Sequence, residues 1–179
     1  AAICASLGLI GLAGGAGVAG CSAQMIGFAV FSYKENKVGG LVSQGIGTSM
    51  LQMGNILKKP VIFLPMILIS GINGAIATAV FGLEMNGAAI SSGMGTCGFV
   101  GQIGVYSGWI SDIGSGLKIG INFMDVFGLI MVSFVIPATL ALISSYLLRK
   151  FGVIKFGDLY LELGESKKKK LAETEVEAS

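Results

Sequence analysis

The chain has 179 residues, of which 53% are hydrophobic and only 12% are charged, whereas about 25% are charged in a typical soluble domain. Its mean hydropathy is +0.81, and its net charge of +2 is too small and too dispersed to indicate nucleic-acid binding. A soluble domain of this length could not bury so much apolar surface. The composition therefore excludes a soluble enzyme and predicts an integral membrane protein.

Charged residues are absent from three long stretches, 1–33, 60–83 and 126–148. A membrane-spanning helix needs about 20 consecutive apolar residues, and each stretch is long enough. A charge at the centre of the bilayer costs roughly a few kcal/mol or more, which explains the gaps. We therefore predict an all-α membrane protein with about three transmembrane helices.

The first stretch is too long for a single span. As one helix, residues 1–33 would reach about 50 Å, against about 30 Å of hydrocarbon core. Its middle, 11–20, is dense in glycine, which weakens a regular helix. It predicts either a break between two half-helices or a tightly packed face of small residues. Because the chain starts without Met inside this run, we favour a fragment of a longer transporter over a cleaved secretory signal.

Two further stretches are too polar or too rich in glycine for simple spans. Residues 41–57 are uncharged but rich in Gln, Ser, Thr and Asn, and they predict an interfacial or re-entrant helix. Residues 84–120 are dense in Gly and Ser and predict a re-entrant hairpin or a broken helix. Between and after them, 61–82 and 123–148 complete the three spans, the last with a kink expected at Pro137.

Positive charges predict the orientation. Lys and Arg are enriched on the cytoplasmic side of membrane proteins, so Arg149 and Lys150 place the end of the last span inside. Three spans then place Lys58 and Lys59 inside as well. We predict a membrane-embedded transport domain over 1–157, the C-terminal half of a larger one. A charged cytoplasmic tail is predicted over residues 158 to 179.

Familiar short motifs do not indicate a cofactor. G-x-G-x-x-G occurs at 15–20 and 93–98, but neither lies in the strand–helix context that a dinucleotide site requires. The three cysteines have no CxxC spacing, and the chain has no histidine for a zinc site or a phosphohistidine. Gly-x-Gly-Thr occurs at 45–48 and 93–96, as an internal repeat or, as we favour, by coincidence.

Glu84, which follows a predicted span, has two interpretations. It is either a solvated loop acid or a carboxylate that accepts hydrogen bonds from sugar hydroxyls in a sheltered cavity. Amide side chains suit the same ligand, and four are placed to contribute, Asn86, Gln102, Gln24 and Gln44. Asp112 and Asp125 are interpreted as interface charges.

An ordered series of motifs resembles a known family. The series comprises GCSAQMIGFA at 20–29, SYKEN at 32–36, QGIGTSMLQ at 44–52, GMGT at 93–96 and GFVGQIG at 98–104. It is similar to the C-terminal half of the membrane enzyme IIC components of the bacterial phosphoenolpyruvate-dependent sugar phosphotransferase system. The resemblance extends over roughly residues 5 to 160.

The resemblance implies a sugar permease of the bacterial inner membrane, typically a homodimer. Its implied partners are the phosphotransferase components IIB and IIA. A separate IIB domain phosphorylates the arriving sugar, so this chain is expected to carry no phosphoryl-transfer residue, cofactor or metal. The substrate-binding residues that it implies are Glu84, Asn86, Thr96 and Gln102. Two alternatives remain: a non-transporting membrane scaffold or regulatory module, and an ion-coupled transporter without phosphotransferase partners.

Overall fold

Three long helices form the centre of the fold, and they coincide with the charge-free stretches. The structure is a computed structural model that describes residues 1–154 and 156–161. Within these residues no strand forms, and three helices are long and apolar enough to cross a membrane, Gly11–Phe31, Pro60–Ala79 and Phe123–Lys150. The prediction of an all-α membrane protein with about three spans is therefore confirmed.

The helical segments are numbered in chain order. They are α1 (Ala2–Ser6), α2 (Gly11–Phe31), α3 (Tyr33–Val42), α4 (Met53–Lys58), α5 (Phe63–Ala79), α6 (Val100–Gly114), α7 (Phe123–Ile130) and α8 (Ile136–Lys150). A π-helical turn, Met131–Val135, joins α7 to α8 within one long helix. It ends two residues before Pro137, whose missing N–H prevents the regular hydrogen bond to the carbonyl of the preceding turn.

The three long helices alternate in direction. Arg149 in the last turn of α8 donates to the carbonyl of Phe31 at the end of α2, so α2 and α8 are parallel. At the opposite end, Gly11 pairs with Met85, which follows α5, so α5 is antiparallel to both. One end of the bundle carries Lys34, Lys37, Lys58, Lys59, Arg149 and Lys150, and we call it the basic end. The other carries Glu84, Asp112 and Asp125, and we call it the acidic end.

The glycine-rich run 11–20 forms a continuous part of α2 and not a break between half-helices. Its small residues allow the chain that follows α5 to lie directly on the helix. A Cβ atom on Gly15 would overlap the carbonyl of Leu83, and one on Gly17 would lie 2.9 Å from the carbonyl oxygen of Ser92. Of the two structures that the sequence left open, the closely packed small-residue face is the one that forms.

Residues 33–58 form a hairpin that starts and ends at the basic end. It consists of α3, a π-helical turn (Ser43–Gly47), a 3₁₀ turn (Ser49–Gln52) and α4. Lys37 interrupts α3 with a φ of 51°. None of these pieces is long enough to cross a bilayer, as expected for the interfacial or re-entrant helix predicted over 41–57.

A second hairpin enters from the acidic end. The chain passes from α5 through two 3₁₀ turns, Ala89–Gly93 and Cys97–Phe99, and returns along α6. Glycines at 101, 104 and 108 lie on one face of α6, and Cβ atoms there would collide with Gly95, Ser91 and Asn86. The hairpin is thus a broken helix packed on a glycine face. Its tip meets the first hairpin, where the Thr96 hydroxyl donates to the carbonyl of Gly45 at 2.6 Å.

The last described residues, 156–161, cross the first hairpin at the basic end. Leu159 is fully buried, and its carbonyl accepts from Asn36 at 2.7 Å and from Gln52 at 3.1 Å. The Asn36 side chain also accepts from the Leu161 amide at 2.8 Å. The first four residues of the predicted tail, 158–161, therefore pack on the first hairpin. Residues 162–179 lie outside the described part of the chain.

Replacing Asn36 with alanine should release this terminal segment. The substitution removes both hydrogen bonds to the backbone of residues 159 and 161, at about 1 kcal/mol each. We expect proteolysis or hydrogen exchange near Leu159 to accelerate by about tenfold or more, while α2 and α5 stay protected. The matched control is Asn55→Ala, which loses one exposed bond to the terminal segment, at the Tyr160 carbonyl, and one bond to the Gln52 side chain. It should have a smaller effect, because only one of its bonds reaches the segment. Equal exchange rates in the two variants would contradict the conclusion that Asn36 holds the terminal segment on the hairpin.

Candidate functional site

A cavity of about 310 Å³ opens at the acidic end. It lies where the chain leaves α5, α6 ends and α7 begins. Its polar lining consists of Glu84, Asn86, Trp109, Asp112, Lys118 and Asp125, and its apolar lining of Phe81, Leu83, Leu117 and Met124. The volume is at the lower end of the range for small-molecule sites, and the lining combines an apolar floor with several converging polar groups.

Asn86 organises the carboxylates of this cavity. Its side-chain nitrogen donates to Asp112 at 2.8 Å and to Glu84 at 3.3 Å. Its side-chain oxygen accepts from the Gly11 amide at 3.1 Å. Both amide hydrogens and one acceptor position are therefore engaged within the protein. Asn86 holds the two acids side by side and ties them to the start of α2, while each carboxylate keeps further acceptor positions.

Lys118 balances part of the acidic charge. Its ammonium lies 2.7 Å from the carboxylate of Asp125 and 5.0 Å from the centre of the Trp109 ring. Asp125 also accepts from the amide of Asn122 at 2.8 Å, where it caps the start of α7. Three carboxylates face one ammonium, so the cavity is acidic overall. Such a lining favours ligands that donate hydrogen bonds over anionic ligands.

Thr96 and Gln102, also predicted as ligands, lie away from this cavity. Thr96 is fully buried and bonds to Gly45 at the hairpin junction. Gln102, near the start of α6, donates to the hydroxyls of Ser22 and Ser133 at 3.2 and 2.9 Å. The structure therefore brings Glu84 and Asn86 together in one cavity. It places Thr96 at the junction of the two hairpins, and Gln102 against α2 and the π-helical turn.

The sequence did not single out a second buried amide, Asn73 in α5. Its nitrogen donates to the carbonyls of Ala19 at 2.8 Å and Val132 at 2.9 Å. Val132 belongs to the π-helical turn, which frees carbonyls from helical bonding. The side-chain oxygens of Asn73 and Gln102 are buried and accept no hydrogen bond from the described residues. A polar layer thus lies at the level of the π-helical turn.

Asp112 and Trp109 are two of the four polar cavity residues that sequence reasoning did not assign to a site; the others are Lys118 and Asp125. Asp112, like Asp125, was interpreted as an interface charge, and tryptophan is a residue type that is enriched at membrane interfaces in general. The available signal was their spacing. The two residues are separated by three positions, which places them on the same face of a helix. Their approach to Glu84 depends on the path of a glycine-rich loop, which the spacing does not encode.

Comparison with known proteins gives one match. No curated protein and no solved structure matches the chain. The family model described as "Phosphotransferase system, EIIC" matches residues 1–161. This range includes all three spans, both hairpins and every residue of the acidic cavity. The chain therefore belongs to the EIIC family of the phosphotransferase system, and it is a membrane-embedded sugar-transport subunit of that system.

Proposed function

We propose that this chain binds a sugar in the acidic cavity and passes it between the two hairpins towards the basic end. A separate IIB domain, which acts together with the IIA component, phosphorylates the sugar there. The observation that carries the proposal is the pair of carboxylates, Glu84 and Asp112, held side by side by Asn86 on the wall of an open cavity. A scaffold module would not need such a pair at a cavity.

The chemistry of the pair suits a polyol. An ionised carboxylate accepts several hydrogen bonds and can bind two adjacent hydroxyls at once. Each hydrogen bond to a charged group contributes about 1.5–3 kcal/mol. Asn86 already makes three side-chain hydrogen bonds within the protein. It therefore acts as a positioning residue that holds both carboxylates in place.

The deeper polar layer supplies acceptors for a sugar in transit. Gln102 and Asn73 each present a buried side-chain oxygen that accepts no bond from the described residues, and the sugar hydroxyls are donors. Gln102 also lies on α6, the same helix that carries Asp112 into the cavity. We place Gln102 and Thr96 on the path between the two ends, Thr96 at the junction of the hairpins.

Charge supports one orientation. Six Lys and Arg residues lie at the basic end, where among the described residues the acids are Glu35 and Asp158. The acidic end carries Lys118 alone among basic residues in the described part of the chain. By the positive-inside rule the basic end faces the cytoplasm of a bacterial inner membrane. The acidic cavity then opens outwards, where a sugar enters. Following the family resemblance, we propose a homodimer.

Replacing Glu84 with glutamine should weaken sugar binding by about 10-fold to 100-fold, because at least one charged hydrogen bond is lost. Trp109 is the one tryptophan in the sequence and lines the cavity, so its fluorescence reports occupancy directly. The measurement is a fluorescence titration of the full-length protein in detergent with a panel of neutral sugars, followed by uptake of the sugar that binds.

The matched control is Asp158→Asn, which makes the same charge change at the basic end, beside Lys59. Its sugar affinity should equal that of the wild type. Wild-type protein that bound none of the sugars, with or without IIB, would refute the proposed function. Unchanged affinity in Glu84→Gln would remove Glu84 from the site.

A further inference from the structure

We propose that a groove between α2 and α8 at the basic end is a specific site for an acidic phospholipid. The phosphate group is held by Lys34 and Lys150, and the acyl chains lie on the apolar walls. This inference concerns the opposite end of the bundle from the acidic cavity and does not depend on the sugar site.

The groove has a volume of about 580 Å³ and two kinds of lining. Its walls are Val30, Phe31 and Leu142, with Tyr33 and Tyr146 beside them. Its cationic rim is Lys34, Arg149 and Lys150. Apolar walls that end at a row of cations match a molecule with a hydrocarbon tail and an anionic head.

Two of the three cations are available to a ligand. One terminal nitrogen of Arg149, Nη2, donates to both carboxylate oxygens of Glu35, at 2.8 and 2.9 Å, and the Glu35 side chain is fully buried. Its charge is therefore used within the protein. Lys34 and Lys150 are exposed and have no acidic partner among the described residues. Within residues 1–154 and 156–161, the rim thus presents two positive charges without an acidic partner, next to a neutralised pair.

Position explains why the anion is a lipid. The groove lies at the ends of two membrane-spanning helices, where headgroups of the bilayer are found. Tyr33 and Tyr146 are 45% and 68% exposed, and tyrosine is enriched at this level of a membrane. Basic pockets between transmembrane helices bind anionic headgroups in the same way.

A second copy of this chain fits the groove less well. It would need a free carboxylate at the level of Lys34 and Lys150. The acids at the basic end that the structure describes are Glu35 and Asp158, and both are already in ion pairs, with Arg149 and Lys59. Charge complementarity therefore favours an acidic phospholipid over self-association at this face.

The test compares lipid affinities of the full-length protein by native mass spectrometry in a mild detergent. Phosphatidylglycerol is titrated against phosphatidylcholine with the same acyl chains. We expect the wild type to prefer phosphatidylglycerol, and Lys34→Gln/Lys150→Gln to bind it about 30-fold more weakly, since each lysine contributes about 1 kcal/mol. Leu142→Trp, which fills the groove, should weaken both lipids and keep the preference.

The matched control, Lys37→Gln/Lys58→Gln, removes two charges from the same end outside the groove. It should bind both lipids as the wild type does, and soluble glycerol phosphate should not compete. Equal loss of affinity in the two double variants would show that the lipid is attracted to the basic residues of this end in general. That result would refute a specific site in the groove. Competition by glycerol phosphate, or displacement of the lipid by dimer formation, would overturn the assignment of a lipid as the occupant.

Discussion

Replacing Arg149 with glutamine is expected to destabilise the folded protein by about 3–5 kcal/mol, the typical cost of removing one partner from a buried ion pair. The carboxylate of Glu35 has no exposed surface and is held by two hydrogen bonds from Arg149. Without the guanidinium, an ionised group would remain buried without a counter-charge. The measurement is denaturant unfolding of the purified protein in lipid-free detergent.

Two further variants separate this effect from a general loss of charge. Lys150→Gln removes the neighbouring, exposed cation of α8 and should leave the free energy of unfolding nearly unchanged. Glu35→Gln/Arg149→Gln removes both charges, and it should recover most of the stability lost by the single variant. If Arg149→Gln were as stable as Lys150→Gln, the buried pair would not hold α8 to the first turn of α3.

The spans were predictable because the bilayer penalises charge in the central part of a crossing helix. That penalty acts locally, so stretches that are both free of charge and continuously apolar mark the spanning helices without knowledge of their neighbours. For a related reason, the sequence also indicated that the two hairpin segments are not simple spans. Segments with Gln, Ser and Gly in place of a continuous apolar run survive at membrane depth only against protein. Their paths depend on contacts between residues far apart in sequence.

The candidate site illustrates this limit. Glu84 and Asn86 were predicted together because they are neighbours in sequence. Their partners are Gly11, 75 residues from Asn86, and Asp112, 26 residues from it. The local pattern places Asp112 on one helix face with Trp109, but it does not show that this face lies beside Glu84. Conversely, Thr96 and Gln102 have side chains suited to a sugar, but their hydrogen bonds in the structure join the hairpins and helices.

The glycine run shows a further limit, since glycine permits both a broken helix and a closely packed one. Gly15 distinguishes the two, because a Cβ atom there would overlap the carbonyl group of Leu83. The obstacle is backbone and cannot rotate away as a flexible side chain does. Gly15→Ala must therefore displace the segment that carries Glu84 and Asn86, or move α2 itself.

We expect Gly15→Ala to lower the free energy of unfolding by about 3 kcal/mol, the upper part of the usual range for overpacking. It should also shift the fluorescence of Trp109, because the displaced segment forms one wall of its cavity. Gly20→Ala is the matched control, since on the same helix its nearest neighbour is the Ser70 carbonyl oxygen at 3.9 Å. Alanine is the better helix former by about 1 kcal/mol, so that variant should be as stable as the wild type or more so. Two variants of equal stability would show that α2 does not support the cavity through its glycine face.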